Sequence, residues 1–177
     1  MIDVQRAFDE PGWAGRNNPD AETKIAELIA GWRSVGAPIV HVRHRSTDGG
    51  RFHAGTPGFE FKAEAEPRPD EPVLEKTTNA AFIGTDLEER LRRDNAETVV
   101  VAGLTTDHCC SATARMASDL GFETLVVGDA TATHDRVGPD GANYPAEVMH
   151  GTALASLSGE FAEIVSTDEA LARLRDD

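Results

Sequence analysis

The sequence predicts an α/β fold: a three-layer α/β/α sandwich around a mostly parallel sheet of about six strands, forming one domain over residues 1–177. Three observations carry this. Runs such as Thr98-Val99-Val100-Val101 are apolar at consecutive positions, as strands buried on both faces are. Other segments repeat their apolar residues at helical spacing, Ile25, Leu28, Ile29 and Trp32 being the clearest case. The two kinds alternate along the chain, which calls for parallel strands joined by right-handed crossovers, with helices on both sheet faces.

The elements follow in order. Ile2 and Val4 read as the end of a first strand, either very short or entered partway along, with Asp3 and Gln5 at its carboxyl edge. Residues 6–20 form a loop by composition, and Asn18-Pro19 opens the first helix, which Gly36 stops. Ala37–Val42 is the second strand. Residues 44–71 lack periodicity and read as a lid or oligomer contact over the strand ends. Pro72–Lys76 is a third strand, and Thr85-Asp86-Leu87-Glu88 fits a capping box for a helix whose stripe runs Ile83, Leu87, Leu91. After the strand Thr98–Val101 comes a tight turn through His108 and a helix rich in small residues from Ser111. Glu123–Gly128 is the fifth strand, followed by a Gly/Pro/Asn loop to Asn143. Tyr144-Pro145 starts a helix with Val148, Met149, Leu154 and Leu157 inward, Ala162–Val165 is the sixth strand, and Thr167 caps the last helix.

Composition narrows the function. A formal charge of −14 argues against nucleic-acid and anionic-membrane surfaces, which need basic patches. No apolar run approaches the roughly 20 residues of a membrane span, and no signal peptide is read ahead of the first strand. The only cysteines, Cys109 and Cys110, are adjacent and make no disulfide framework, so a reducing cytoplasm is expected.

Both cysteines sit where a strand passes into a helix. In open α/β sheets ligands bind beyond the carboxyl ends of strands, and a helix N-terminus favours a thiolate. Asp3, Lys76 and Cys109 reach such ends from distant parts of the chain. A carboxylate with a raised pKa can deprotonate a thiol, and an ammonium can steady the anions, so the three form a coherent catalytic set.

These segments resemble the isochorismatase-like cysteine hydrolases. Asp3-Val4-Gln5-Arg6-Ala7-Phe8 matches their D-x-Q-x-x-F opening, and Glu75-Lys76-Thr77-Thr78-Asn79-Ala80-Ala81-Phe82 is similar to their lysine segment. Gly103 to Arg115 is similar to their nucleophile turn, G-x-x-T-x-x-C-x-x-x-T-A-R. The resemblance implies the isochorismatase-like hydrolase fold and a triad of Asp3, Lys76 and Cys109, with Cys109 and not Cys110 as nucleophile. It also implies a cis peptide between Leu104 and Thr105, and an oxyanion hole made by the Thr105 and Cys109 amides. Members that cleave the vinyl ether of isochorismate typically lack the cysteine, so Cys109 favours amide or carbamoyl chemistry through a thioester. Nicotinamidase relatives bind a metal through an Asp-x-His pair. His41-Val42-Arg43-His44-Arg45 has none, so neither metal nor cofactor is expected.

Each residue also has a plainer reading. Alone, Cys109 is a small packing residue, as Cys110 is taken to be. Asp3 alone caps a turn, and Lys76 alone is a solvated lysine. Phe8, Trp13, Phe82, His108 and Tyr144 are candidate substrate walls, with core packing or helix capping the competing use. Arg43 and Arg45 suit loop ion pairs. The expected partner is a small amide-like molecule, and a homo-oligomer, dimer or tetramer, is expected. Vinyl-ether hydrolysis, a nucleotide-binding or phospho-acceptor module and a thiol redox sensor are the competing functions. The absence of a G-x-G-x-x-G or Walker lysine loop weighs against nucleotide binding.

Overall fold

The computed structural model describes residues 1–176. Its strands are β1 (His41–His44), β2 (Val73–Lys76), β3 (Thr98–Leu104), β4 (Glu123–Ala132), β5 (Arg136–Val137), β6 (Asn143–Tyr144) and β7 (Glu163–Val165). The helices are α1 (Ala21–Val35), α2 (Leu87–Arg93), α3 (Ser111–Asp119), α4 (Ala146–Leu157) and α5 (Thr167–Asp176). β1 pairs with β2, and β3, β4 and β7 pair in that order, all parallel. Ile2 stands between the two groups, bridging Val42 on one side and Gly103 on the other.

The expected six-stranded sheet is therefore not formed. Five parallel strands are present, and a single bridging residue stands where the first strand was expected. Asp3 adopts a left-handed backbone with φ 50°, which turns the chain out of the sheet directly after Ile2. Gly103, at φ 133°, allows the close approach of Ile2, because a Cβ there would run into the Ile2 backbone.

Helices cover both faces. Ile25, Leu28 and Ile29 of α1 pack with Ala170 of α5 against Leu125 and Val127. Ala114 and Ala117 of α3 pack with Leu87 and Leu157 against Val101 and Val126 on the other face. Each fully buried aliphatic side chain of this kind contributes roughly 1.5–3 kcal/mol. Gly31 lets α5 lie close to α1, since a Cβ there would collide with Leu171.

Several boundaries move. β1 begins at His41 and not Ala37, because only from His41 onward does the chain find a partner in β2. The capping box at Thr85 is replaced by Asp86 at the N-cap, while Thr85 Oγ1 donates to Ala81 O and accepts from the Leu87 amide. Ile83 and Val148, expected inward, are 46% and 47% exposed. The loop after β4 contains the antiparallel hairpin β5–β6. Asp129 Oδ1 accepts hydrogen bonds from the Thr167 amide and hydroxyl, tying the start of α5 to β4.

The 44–71 segment is folded down, with Phe59, Phe61 and Ala65 buried. Buried Lys62 reaches Asp9 (2.5 Å) and Glu22 (2.6 Å), and Phe61 bridges Gln5. Arg43 and Arg45 pair with Glu75.

Candidate active site

Three chain segments converge at the carboxyl ends of β1, β2 and β3. The Asp3 amide donates to Val42 O (2.8 Å), and the turn at this residue leaves its side chain buried. Lys76 is the last residue of β2, in register with His44 of β1. Alternation along Val-Leu-Glu-Lys exposes Val73 and Glu75 and buries Leu74 and Lys76. Lys76 Nζ donates to Asp3 Oδ2 at 2.5 Å. Asp3 Oδ1 is buried and has no hydrogen-bond donor among the described residues. Burial raises the Asp3 pKa above the ordinary carboxylate value, and the Lys76 ammonium offsets only part of that.

Gln5 holds this corner together. Its Nε2 donates to His44 O (3.1 Å) and Phe59 O (3.0 Å), and its Oε1 accepts from the His44 amide (2.8 Å). The turn after Asp3 is thereby tied to the strand end beside Lys76.

Cys109 lies on a π turn, Thr106–Cys110, that runs directly into α3. Single π turns inside helices often occur at functional sites. The Cys109 thiol donates to Asn79 Oδ1 at 3.8 Å. Burial, and then the nearby Asp3 charge, push its pKa up to about 12, with Lys76 pulling the other way. This reverses the thiolate character expected from a helix N-terminus. A dipole contribution of roughly 0.3–1 kcal/mol is outweighed by burial beside a carboxylate. Cys110 is fully buried in the core, and both thiols are free.

The turn before Cys109 is firmly held. The Leu104–Thr105 peptide bond is cis. The His108 and Cys110 amides donate to Thr105 O (3.3 and 3.1 Å), so the Cys109 amide lies between two committed donors. Thr106 Oγ1 and His150 Nδ1 are 2.9 Å apart, fastening the turn to α4. Asp107 accepts from Thr133 Oγ1 (2.5 Å) and Arg136 Nε (3.0 Å). Burial alone would raise the Asp107 pKa, but these hydrogen bonds hold it at about 2.

The proposed substrate walls divide. Phe8 and Trp13 lie 5.1 Å apart, ring to ring, and both pack on Phe52. His134 stacks on Trp13 at 4.8 Å. His44 meets Phe52 at 5.7 Å and feels the charges of Lys76 and Asp3, so this aromatic cluster adjoins the buried ion pair. His108 is exposed at the rim, 3.5 Å from Arg136 Nη2. Phe82 is core instead of wall: it is 8% exposed and stacks with Phe122. Tyr144 belongs to the β5–β6 hairpin, where it pairs with Arg136 and its hydroxyl donates to Asp140 Oδ2.

Sequence reasoning passed over Asn79, His44, Phe52, His134 and Arg136. His44 and His134 carried a usable signal, since each closes or follows a strand at its carboxyl end. Asn79 lay within the lysine segment without being singled out. Phe52 and Arg136 sit in loops, where no spacing marks them.

The Isochorismatase domain model matches residues 1–169. The chain is 40% identical over 172 residues to the isochorismatase family protein YrdC of Bacillus subtilis, covering 97% of this chain and 92% of that protein. It is 38% identical over 184 residues to nicotinamidase 3 of Arabidopsis thaliana, covering 96% and 84%. A solved structure of an isochorismatase-family protein from Chromobacterium violaceum superposes with a TM-score of 0.96 at 41% identity, covering 99% of this chain and 92% of that one.

Proposed function

The chain belongs to the isochorismatase family of hydrolases, and from that premise we propose that it cleaves a C–N bond, amide or carbamoyl, of a small molecule through a thioester on Cys109. One observation carries this reading. Asp3 is held by Lys76 through Oδ2, its Oδ1 has no donor among the described residues, and its charge is felt at Cys109.

The chemistry follows from those groups. With its pKa near 12, Cys109 rests as a thiol and needs a base at the moment of attack. Asp3, its carboxyl pKa raised by burial, is suited to take that proton at Oδ1. The sulfur attacks the amide carbonyl carbon, and the developing oxyanion is met by the Thr105 and Cys109 amides, each such donor being worth roughly 2.7–4 kcal/mol. Asp3 returns the proton to the departing nitrogen, which leaves as ammonia or an amine. Water, deprotonated by Asp3, then attacks the thioester, releasing the carboxylic acid and restoring the thiol. Lys76 holds Asp3 through Oδ2 and balances its charge when it is ionised. The name of the relative nicotinamidase 3 supports an amide substrate, and Phe8, Trp13, Phe52 and His134 suggest a flat or apolar one.

The test is ammonia release from a panel of small amides, combined with intact-mass detection of an acyl adduct. The expected result is turnover with an adduct on Cys109, and loss of at least about a thousandfold in Cys109→Ala. Full turnover by Cys109→Ala would overturn the mechanism. Turnover without ammonia on a vinyl ether would move the assignment to the other branch of the family.

A further inference from the structure

Two asparagines fasten the loop before α1 to the end of β4. Asn17 Oδ1 accepts from the Thr133 amide (2.7 Å), and the Asn17 amide donates to Thr133 O (3.3 Å). Asn18 follows with a left-handed backbone, φ 42°, which asparagine tolerates better than most residues. Its Nδ2 donates to Thr131 O (2.7 Å) and Gly128 O (3.1 Å), and two carbonyl neighbours fix which end of the carboxamide is nitrogen. That nitrogen also lies 3.4 Å from Nε2 of His150, a buried residue of α4. On the other edge of the ring, Nδ1 is 2.9 Å from Oγ1 of Thr106, itself fully buried.

These neighbours decide where the histidine proton sits. Burial lowers the His150 pKa below 6.5, with Glu147 of α4 and Asp107 of the turn pulling the other way, so near neutral pH the ring is uncharged and holds one proton. Asn18 Nδ2 carries hydrogens and no lone pair, so a proton on Nε2 would set donor against donor. Nε2 has no other hydrogen-bonding neighbour among the described residues. The proton therefore belongs on Nδ1, where Thr106 Oγ1 accepts it. Thr106 opens the π turn that carries Cys109, and its carbonyl accepts from the Ser111 amide at the start of α3. An aliphatic side chain could fill the space between α4 and this turn. Only a ring with opposite roles on its two nitrogens meets both the Thr106 hydroxyl and the Asn18 amide.

We infer that His150 is a positioning residue for the nucleophile: its Nδ1–H, oriented by Asn18, holds Thr106 and with it the sulfur and amide of Cys109 in attacking register. This rests on Cys109 being the nucleophile of the proposed hydrolysis. A displacement of about 1 Å at such a turn can cost about a hundredfold in rate without touching the reacting atoms.

Four variants of the full chain separate the two edges of the ring. In His150→Asn the side-chain nitrogen replaces Nδ1 and still donates to Thr106. In His150→Gln the longer side chain brings its oxygen to the Nε2 position, accepts from Asn18 and leaves Thr106 without a donor. Thr106→Ser keeps the hydroxyl, and Thr106→Val removes it. On an amide that the unaltered chain turns over, kcat of His150→Gln and Thr106→Val should lie about tenfold or more below that of His150→Asn and Thr106→Ser, with KM within about threefold throughout. Combining His150→Gln with Thr106→Val should cost little beyond the worse single change. Equal kcat in His150→Asn and His150→Gln would overturn the inference, as would losses that simply follow melting temperature across the four. Two further measurements do not depend on the reaction. With 15N-labelled histidine, the His150 signals, identified by their absence in His150→Asn, should show a protonated Nδ1 and a bare Nε2. The Cys109 and Cys110 amides should exchange with deuterium at least about tenfold faster in His150→Gln than in His150→Asn. A protonated Nε2, or equal exchange in the two variants, would overturn the inference. If the unaltered chain hydrolyses no amide, the hydrolysis reading fails by itself, while tautomer and exchange still decide the role of His150.

Discussion

Asp3 and Lys76 stand 73 positions apart in the chain and 2.5 Å apart in the fold, with their side chains 2% and 0% exposed. A buried pair of this kind is poor value for stability, because desolvation cancels much of the attraction. Its one uncommitted atom, Asp3 Oδ1, suits a chemical role better than a structural one.

Breaking the pair from one side separates the two roles. Lys76→Met strands a buried carboxylate and should destabilise the fold by about 3–5 kcal/mol in chemical denaturation. Adding Asp3→Asn removes the stranded charge, so the double variant should recover a substantial part of that loss. Turnover should stay abolished in both, which a purely structural ion pair would not require.

Asp3→Asn alone should uncouple thiol reactivity from catalysis. The Asp3 charge helps hold the Cys109 thiol up, while Lys76 acts in the opposite direction. Without the carboxylate, the Cys109 pKa falls and alkylation by iodoacetamide at neutral pH should speed up. Amide hydrolysis should nevertheless drop by at least about a hundredfold, because the proposed general base is gone. If alkylation slowed together with turnover, Asp3 would instead be the group that activates the thiol in the resting enzyme.

His41 sets a pH dependence of stability. It is fully buried, with Nε2 2.9 Å from Glu71 Oε2, and burial lowers its pKa from 6.5 to about 4 despite that neighbour. The folded state thus holds the ring neutral where the unfolded chain would protonate it. The resulting stabilisation is complete above pH 6.5 and is lost as the pH falls through about 4. Burial lowers His44, His134 and His150 as well, so they contribute with the same sign. Asp3, raised by burial, has the opposite sign and loses its contribution as the pH rises through its folded value. Urea midpoints between pH 7 and pH 4 should therefore decline, and His41→Phe should flatten the slope.

The sequence was most informative where a period or a motif was complete. Helix α1 was legible from four apolar residues at helical spacing, and the Cys109 turn from a buried run ending in small residues. The point at which the chain leaves the first strand was not legible, because the left-handed turn at Asp3 sets it and no local pattern marks an aspartate for that conformation. For Phe82 and Tyr144 the choice between substrate wall and core packing stayed open for a different reason. An aromatic next to a motif carries no sign of which way it faces, and here one stacks on Phe122 while the other follows a short hairpin. The direction of the Cys109 pKa shift was equally hidden, since it depends first on burial and then on a carboxylate more than a hundred positions away in the chain.

Gln5 links the fold to the site most economically. Its amide makes three hydrogen bonds, two to the His44 backbone and one to Phe59 O, and it is completely buried. Gln5→Leu keeps much of the volume but leaves those backbone groups unpaired, at about 1–3 kcal/mol for each buried group that finds no substitute. His44 is the β1 residue in register with Lys76, so loosening it also loosens the ammonium against Asp3. Denaturation should show a loss of roughly 2–4 kcal/mol, and kinetics should show kcat falling more than KM rises, because the disturbed geometry lies at the base rather than at the aromatic wall. Gln5→Glu keeps the acceptor for the His44 amide, loses both donors and adds a carboxylate near Lys76. It should therefore shift the acid limb of the kcat profile as well as its height. An unchanged pH profile in Gln5→Glu would mean that Gln5 only braces the loop.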